Sequence, residues 1–206
     1  MGRLQTQANV SDDRTRAFYD AEAHAYADNS RVSPFLADFI AALPAGAAVL
    51  DLGCGAGFDS AALREAGFVV ASVDASAGLA AQAKRRHAID VRILDFKDVD
   101  YIAAFDGVWA NASLHHASLS ALPAIFAAVR RAMKPGGVLH ASLKEGAPDR
   151  RDKLGRFFCA MDESTLRALV ADWTDIHIER RLGSGYDNEP TSWLRLNARA
   201  PRQRNA

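Results

Sequence analysis

Between Val49 and Ser60 the chain reads Val-Leu-Asp-Leu-Gly-Cys-Gly-Ala-Gly-Phe-Asp-Ser, and this stretch constrains the fold more than any other. An apolar run carries an acid, Asp51, and passes into glycines at alternate positions, Gly53, Gly55 and Gly57. A segment able to form a helix follows. With no Cβ in the way, glycines at this spacing permit a sharp turn and the close approach of something bulky. Strand, glycine loop and helix together make the crevice of a doubly wound sheet. Asp51 sets the sign of what binds there. A carboxylate inside the turn repels a phosphate, so the preferred ligand carries positive charge beside the loop. S-adenosylmethionine, with its ammonium and sulfonium, suits such a loop better than a pyrophosphate.

The bulk properties narrow the class. The 206 residues are 49% hydrophobic, which suits one α/β domain with a sizeable core. No apolar run approaches the ~20 residues of a membrane span. Residues 1–16 are polar and mixed in charge, without the apolar centre of a signal peptide. Lys+Arg and Asp+Glu balance at 25 each, so the chain lacks the basic excess of a nucleic-acid binder. Arg199, Arg202 and Arg204 read as a solvated tail. Cys54 and Cys159 suggest no disulfide framework, and a bridge at Cys54 would obstruct the loop. The expectation is a cytoplasmic protein with no nucleic-acid or membrane partner.

Periodicity and punctuation predict the elements. Residues 1–11 read as disordered. Asp12–Ala27 reads as a helix with Tyr19, Ala23 and Tyr26 on one face. Ser33 as N-cap and Pro34 in the first turn open a second helix, closed by Pro44 and Gly46. Strands are expected at Ala48–Leu52, Val69–Val73, Val91–Leu94, Phe105–Ala110 and Val138–Leu143. Helices are expected at Phe58–Ala66, Ala77–His87, Leu122–Met133 and from Asp162 through Ala171. Two further strands, Asp175–Leu182 and Ser192–Ala198, close the chain without an intervening helix. Alternating strands and helices predict a doubly wound, mostly parallel Rossmann-like sheet of about seven strands with an antiparallel edge. The whole chain, 1–206, reads as one domain: N-terminal helices to 46, a core over 47–199 and a tail over 200–206.

The order of motifs resembles the class I S-adenosylmethionine-dependent methyltransferases, and most of all their small-molecule branch, the group that includes tellurite-resistance-type methyltransferases. The resemblance runs from about Tyr19 to Ala198. It rests on the glycine loop, on Val73-Asp74-Ala75-Ser76, on Leu94-Asp95-Phe96, on the run from Asp106 to His116, and on Lys134-Pro135-Gly136-Gly137. It implies a fold with S-adenosylmethionine as cofactor and S-adenosylhomocysteine as product. Asp51 would lie near the ligand's ammonium, directly or through water, and Gly53, Cys54, Gly55, Gly57 and Asp59 would belong to the same cofactor site. Asp74, with Ala75 and Ser76, would reach the ribose, since an acid about 20 residues past a glycine loop does so in such folds. Asp95 would meet the adenine amino group with Phe96 against the ring. Ala110 and Asn111 end the fourth strand at the crevice. Tyr19, Tyr26 and Arg31 would belong to a lid, with Arg31 on the methionine carboxylate.

His115 and His116 are the candidate catalytic residues. Each reads as a general base or a substrate contact, or equally well as a structural or solvated group, and two adjacent histidines on one turn point different ways. A histidine base would make the rate fall as pH drops through the imidazole range. Lys144, Glu145, Arg156, Phe157 and Phe158 read either as the substrate side or as a charged surface loop, and Trp109 as core. No metal-ligand spacing stands out. The fourth motif lacks the Asn/Asp-Pro-Pro-aromatic run of many enzymes that methylate planar amino groups, which favours a small acceptor. An NAD(P)-dependent oxidoreductase shares the expected fold. Against it, the loop is Gly-x-Gly-x-Gly and carries Asp51. A non-catalytic cofactor-binding module is the other alternative.

Overall fold

The computed structural model of the protein describes residues 12–147 and 149–202. The disorder expected of residues 1–11 and the end of the expected tail, 203–206, lie outside these. A seven-stranded sheet forms the frame. Its strands are β1 (Ala48–Leu52), β2 (Val69–Asp74), β3 (Val91–Ile93), β4 (Phe105–Ala110), β5 (Met133–Lys144), β8 (Thr174–Ser184) and β9 (Pro190–Arg199), while β6 (Arg150–Arg151) and β7 (Phe157–Phe158) form a separate small hairpin. The order is β3-β2-β1-β4-β5-β9-β8. Pairings from β3 to β5 are parallel, and β9 runs antiparallel to both β5 and β8. The antiparallel pairing thus lies at the expected edge, although the reversed strand is second from it. The chain winds outward from β1 through β2 to β3, then returns to β4 on the other side. Ligands of doubly wound sheets bind at the carboxyl ends of strands at such a reversal.

Helices cover both faces. Two short helices, α1 (Asp13–Ala21) and α2 (Ala23–Asn29), replace the single helix expected over Asp12–Ala27. Glu22, at φ −94° and ψ 8°, breaks the run. The next helix, α3 (Leu36–Ala41), starts later than expected, after a turn in which Ser33 accepts from Phe35 N–H on its hydroxyl and from Leu36 N–H on its carbonyl. On that face α3 and α4 (Phe58–Glu65) bury Leu36, Phe39, Leu63 and Phe68 against Val49 and Trp109. α5 (Ala77–His87) has the Ser76 hydroxyl as its N-cap and three consecutive basic residues before His87 in its last turn, which complements the helix dipole. α6 (Leu122–Ala132) packs Leu122, Ile125, Phe126 and Val129 on the other face with α7 (Glu163–Leu169), which Asp162 caps as expected. Each such apolar side chain, fully buried, contributes about 1.5–3 kcal/mol.

Three further boundaries differ from expectation. Met133 opens β5 instead of ending α6, because Phe105 pairs with it across a register shift that absorbs the Lys-Pro-Gly-Gly turn. The β6–β7 hairpin arises where a polar loop was expected. Ala200, assigned to a tail, is buried and exchanges backbone hydrogen bonds with Gly136 and Gly137.

Candidate active site

The glycine loop is built as its sequence demands. Gly53, Gly55 and Gly57 have φ of 82°, 55° and 80°. These left-handed values disfavour any residue with a Cβ. A Cβ at Gly53 would lie 2.3 Å from Ser113 Cβ, and one at Gly57 would lie 2.8 Å from Ala83 Cβ. Gly55 has only Tyr26 near it, at 3.8 Å, so this glycine leaves an open cradle. The amides of Gly53 and Cys54 donate to Val73 O at 2.8 and 3.0 Å and tie the loop to the end of β2. Asp74 completes the tie, accepting from Gly55 N–H on one oxygen and from Ser76 N–H on the other, both at 2.8 Å. With Ala75, Ser76 and Phe96 it lines a cavity of about 80 Å³ beneath Tyr19 and Tyr26.

Three carboxylates, Asp51 buried and Asp59 and Asp74 half-buried, surround the loop. Asp51 accepts a 2.6 Å hydrogen bond from the Ser60 hydroxyl, which also contacts Ser72 Oγ. Burial, and then the nearby charge of Asp59, push the Asp51 carboxyl up to about 8. Burial also raises Asp59 and Asp74. The Cys54 thiol is pushed well up by burial and then by Asp51 and Asp74, so it is not a reactive thiolate. Asp59 accepts from Ser33 N–H at 2.7 Å and from the Trp109 ring N–H at 2.8 Å. It braces the start of α3 against β4 while bordering a second cavity of about 120 Å³ with Asp51, Cys54, Arg31 and Asn111.

Other expected residues are less directly placed. Arg31 is exposed at the rim of that cavity, and its guanidinium donates to the carbonyls of Asp28 and Ser30. Asp95 accepts from Lys97 N–H and caps a 3-10 turn, Phe96–Asp98. Phe96, rather than Asp95, lines the cavity below Tyr19. Ala110 is wholly buried in the core, so its side chain adds nothing to the crevice. Asn111 Oδ1 accepts from the Ser142 hydroxyl at 2.8 Å, and Ala112 N–H donates to the same Oγ at 2.7 Å. Trp109 is core, as expected, stacked on His140 at 4.1 Å.

The two histidines do point different ways. His116 Nδ1 lies 2.8 Å from Phe157 O, and a carbonyl only accepts, so Nδ1 carries the hydrogen. Its Nε2 is therefore the acceptor for the Tyr19 hydroxyl, 2.9 Å away. Arg156 in turn donates to that hydroxyl at 3.0 Å. Burial pushes His116 down to about 4. It is neutral at pH 7 but a weak base, and a rate that depended on its neutral form would fall near pH 4 rather than in the ordinary imidazole range. His115 is buried on the other side, against Phe158 and Trp193.

Sequence reasoning missed Asp20, whose Oδ1 accepts from Ser76 Oγ and Gly78 N–H and pins α1 to the start of α5. It missed Ser113 and Ser142 as well. Ser113 alternates with Asn111 at the end of β4, which was the available signal for it. Lys144 and Arg156 are both buried, which decides against a charged surface loop. Among the described residues, no group of three or more His, Cys, Asp or Glu is placed to hold a metal ion.

Residues 49–137 match the family model of a methyltransferase domain. The match runs from β1 to the start of β5, and the sheet order and glycine loop are those of the class I methyltransferase fold. It is similar to the malonyl-[acyl-carrier protein] O-methyltransferase of Enterobacter lignolyticus, 34% identical over 152 residues, covering 71% of this chain and 59% of that one. The corresponding protein of Erwinia pyrifoliae is 36% identical over 106 residues, covering 48% of this chain and 38% of that one. The chain thus spans about four to six tenths of the length of these relatives. Burkholderia thailandensis 1,6-didemethyltoxoflavin-N1-methyltransferase, solved with 1,6-didemethyltoxoflavin and S-adenosylhomocysteine, superposes with a TM-score of 0.73 at 23% identity, over 97% of this chain and 98% of that one. Among the described residues, no helix is long and apolar enough to cross a membrane.

Proposed function

We propose that this protein binds S-adenosylmethionine in the crevice at β1, β2 and β4 and transfers its methyl group, by in-line displacement, to a small-molecule acceptor. The observation that carries this reading is the open cradle at Gly55 ringed by Asp51, Asp59 and Asp74. These acids suit an ammonium, beside which Asp51 gives up its proton, and disfavour the pyrophosphate of NAD(P). Asp74 is the ribose ligand in this reading, and Phe96, Ala75 and Ser76 enclose the base. Asp51 and the loop amides hold the ammonium end, and Arg31 reaches the carboxylate from the rim. Helices α1 and α2 form the lid, with Tyr19 and Tyr26 beneath it. Relatives named for O-methylation and for N1-methylation support methyl transfer as the chemistry. Two free thiols, Cys54 and Cys159, fit a reducing, cytoplasmic setting.

When bound, S-adenosylmethionine supplies a methyl group already made electrophilic by its sulfonium. The chain's own residues need chiefly to position the acceptor and exclude water. Such alignment contributes roughly 7–11 kcal/mol in favourable cases. Neutral His116 keeps the Tyr19 hydroxyl turned toward its Nε2, so this pair orients and closes the site.

The test is ligand-induced stabilisation. S-adenosylhomocysteine should raise the melting temperature, since a ligand at 100 times its Kd adds about 2.7 kcal/mol to the native state. NAD should not. Stabilisation by NAD alone would overturn the assignment.

A further inference from the structure

Beyond the crevice, at the carboxyl end of β5, lie two polar groups that the cofactor reading does not use. Lys144 is only 4% exposed. Its ammonium sits 3.7 Å from the centre of the Phe158 ring and 5.8 Å from that of Trp193. Among the described residues it makes no ion pair and no hydrogen bond, Asp187 being the acid that acts on it most from a distance. The His115 ring lies between the same two aromatics, 5.2 Å from Phe158 and 5.4 Å from Trp193. Its Nδ1 is buried and has no hydrogen-bond partner among the described residues. A buried cation with no anion, beside a buried ring nitrogen with no donor, is an expensive arrangement. Arg156, also beside Phe158, does not share the deficit, because Asp152 accepts from its Nε and Nη2.

One wall of the box, Trp193, faces the crevice side as well. Trp193 lines a cavity of about 350 Å³ that also reaches Ser142, Asn111 and Ala112. The last two border the Asp51 cavity as well. A molecule standing in this cavity would have one end toward the glycine loop and the other against Trp193, whose ring centre is 5.8 Å from the Lys144 ammonium.

Building on the methyltransferase reading, we propose that the box is the anion subsite of the methyl acceptor: Lys144 pairs with a carboxylate of a small acceptor and fixes its approach to the crevice. The charge logic divides the site in two. The acids at the loop select a cationic cofactor end, and the lysine at the far end selects an anionic acceptor. Lys144 is a specificity residue in this scheme. It anchors a remote carboxylate and leaves the reacting atom free of the ammonium, which would blunt a nucleophile.

The experiment needs no knowledge of the natural acceptor. Protein saturated with S-adenosylhomocysteine is titrated calorimetrically with two matched pairs, propionate against propionamide and benzoate against benzamide. At least one carboxylate should bind tenfold or more tightly than its amide. Lys144→Met, which keeps the length of the side chain and its contact with Phe158, should abolish that preference, and Lys144→Arg should retain much of it. Equal binding or no binding of all four probes to wild-type protein would overturn the proposal without recourse to any variant. So would a preference that survives in folded K144M. Failure of S-adenosylhomocysteine to bind would instead sink the methyltransferase reading, so the two failures are distinguishable.

Discussion

Asp51 shows how one residue couples charge to binding. Its carboxyl titrates near 8 in the folded chain against an ordinary 3.8. Between those values the folded state holds a proton that the unfolded state has lost, so this group makes the free protein less stable as pH rises from about 4 to 8. A ligand ammonium beside it favours the ionised form. Binding of S-adenosylhomocysteine should therefore expel a proton, and affinity should rise between pH 6 and 8 by up to about tenfold per unit, then level off. Asp51→Asn should flatten that rise. Calorimetry in two buffers of different ionisation enthalpy reads the proton directly. No proton release from wild-type protein at pH 7 would show that Asp51 does not meet the cation. The sequence made this residue visible, because an acid in a glycine loop is a local pattern. It did not show that Asp59 would have both oxygens occupied, since Ser33 and Trp109 come from distant parts of the chain.

Within single elements, the three glycines look equivalent in sequence and are not in space. Gly53→Ala should cost the most stability, several kcal/mol, because left-handed strain of about 1–2 kcal/mol adds to a 2.3 Å clash with Ser113 Cβ. Gly57→Ala should follow, since its closest approach is the longer 2.8 Å to Ala83 Cβ, with Ala83 Cα at 3.3 Å. Gly55→Ala should cost only the strain, yet weaken S-adenosylhomocysteine binding most for its stability loss, because its Cβ enters the cradle. Urea denaturation beside calorimetry ranks them, and a Gly55 variant that binds normally would remove the cradle from the site. Elements set by local signals were legible: β1, the span of α5 and the Asp162 cap of α7. Elements set by partners were not. The β6–β7 hairpin is two residues a side and depends on Thr15 accepting from Phe157 N–H. The start of β5 depends on pairing with Phe105. Burial of Lys144 and Arg156 belongs to the same class, because a charged pattern in sequence does not reveal that rings from other elements will close over it.

For the molecule as a whole, buried histidines govern the response to acid. His116 and His140 are both pushed down to about 4 by burial, and His115 well below its ordinary 6.5. Below pH 6.5 the unfolded chain takes up protons that these three refuse in the folded state. Stability therefore falls as pH falls toward 4, by up to about 1.4 kcal/mol per unit for each histidine. Asp51, Asp59 and Asp74, raised by burial, act in the opposite direction, so the histidine share is read as a difference between proteins. Between pH 7 and 5 urea midpoints should fall more, or rise less, in wild-type protein than in His140→Gln. Equal slopes in the two would show that this ring reaches solvent. Arg156 has a different kind of reach. Its guanidinium lies 5.1–5.7 Å from the ring centres of Phe18, Tyr19, Phe158 and Tyr186, rings that come from α1, β7 and the β8–β9 turn. The segments over the crevice are thus knotted at one side chain and cannot peel away one by one. A molecule held beneath them leaves on a single clock, the rate at which that one knot comes undone.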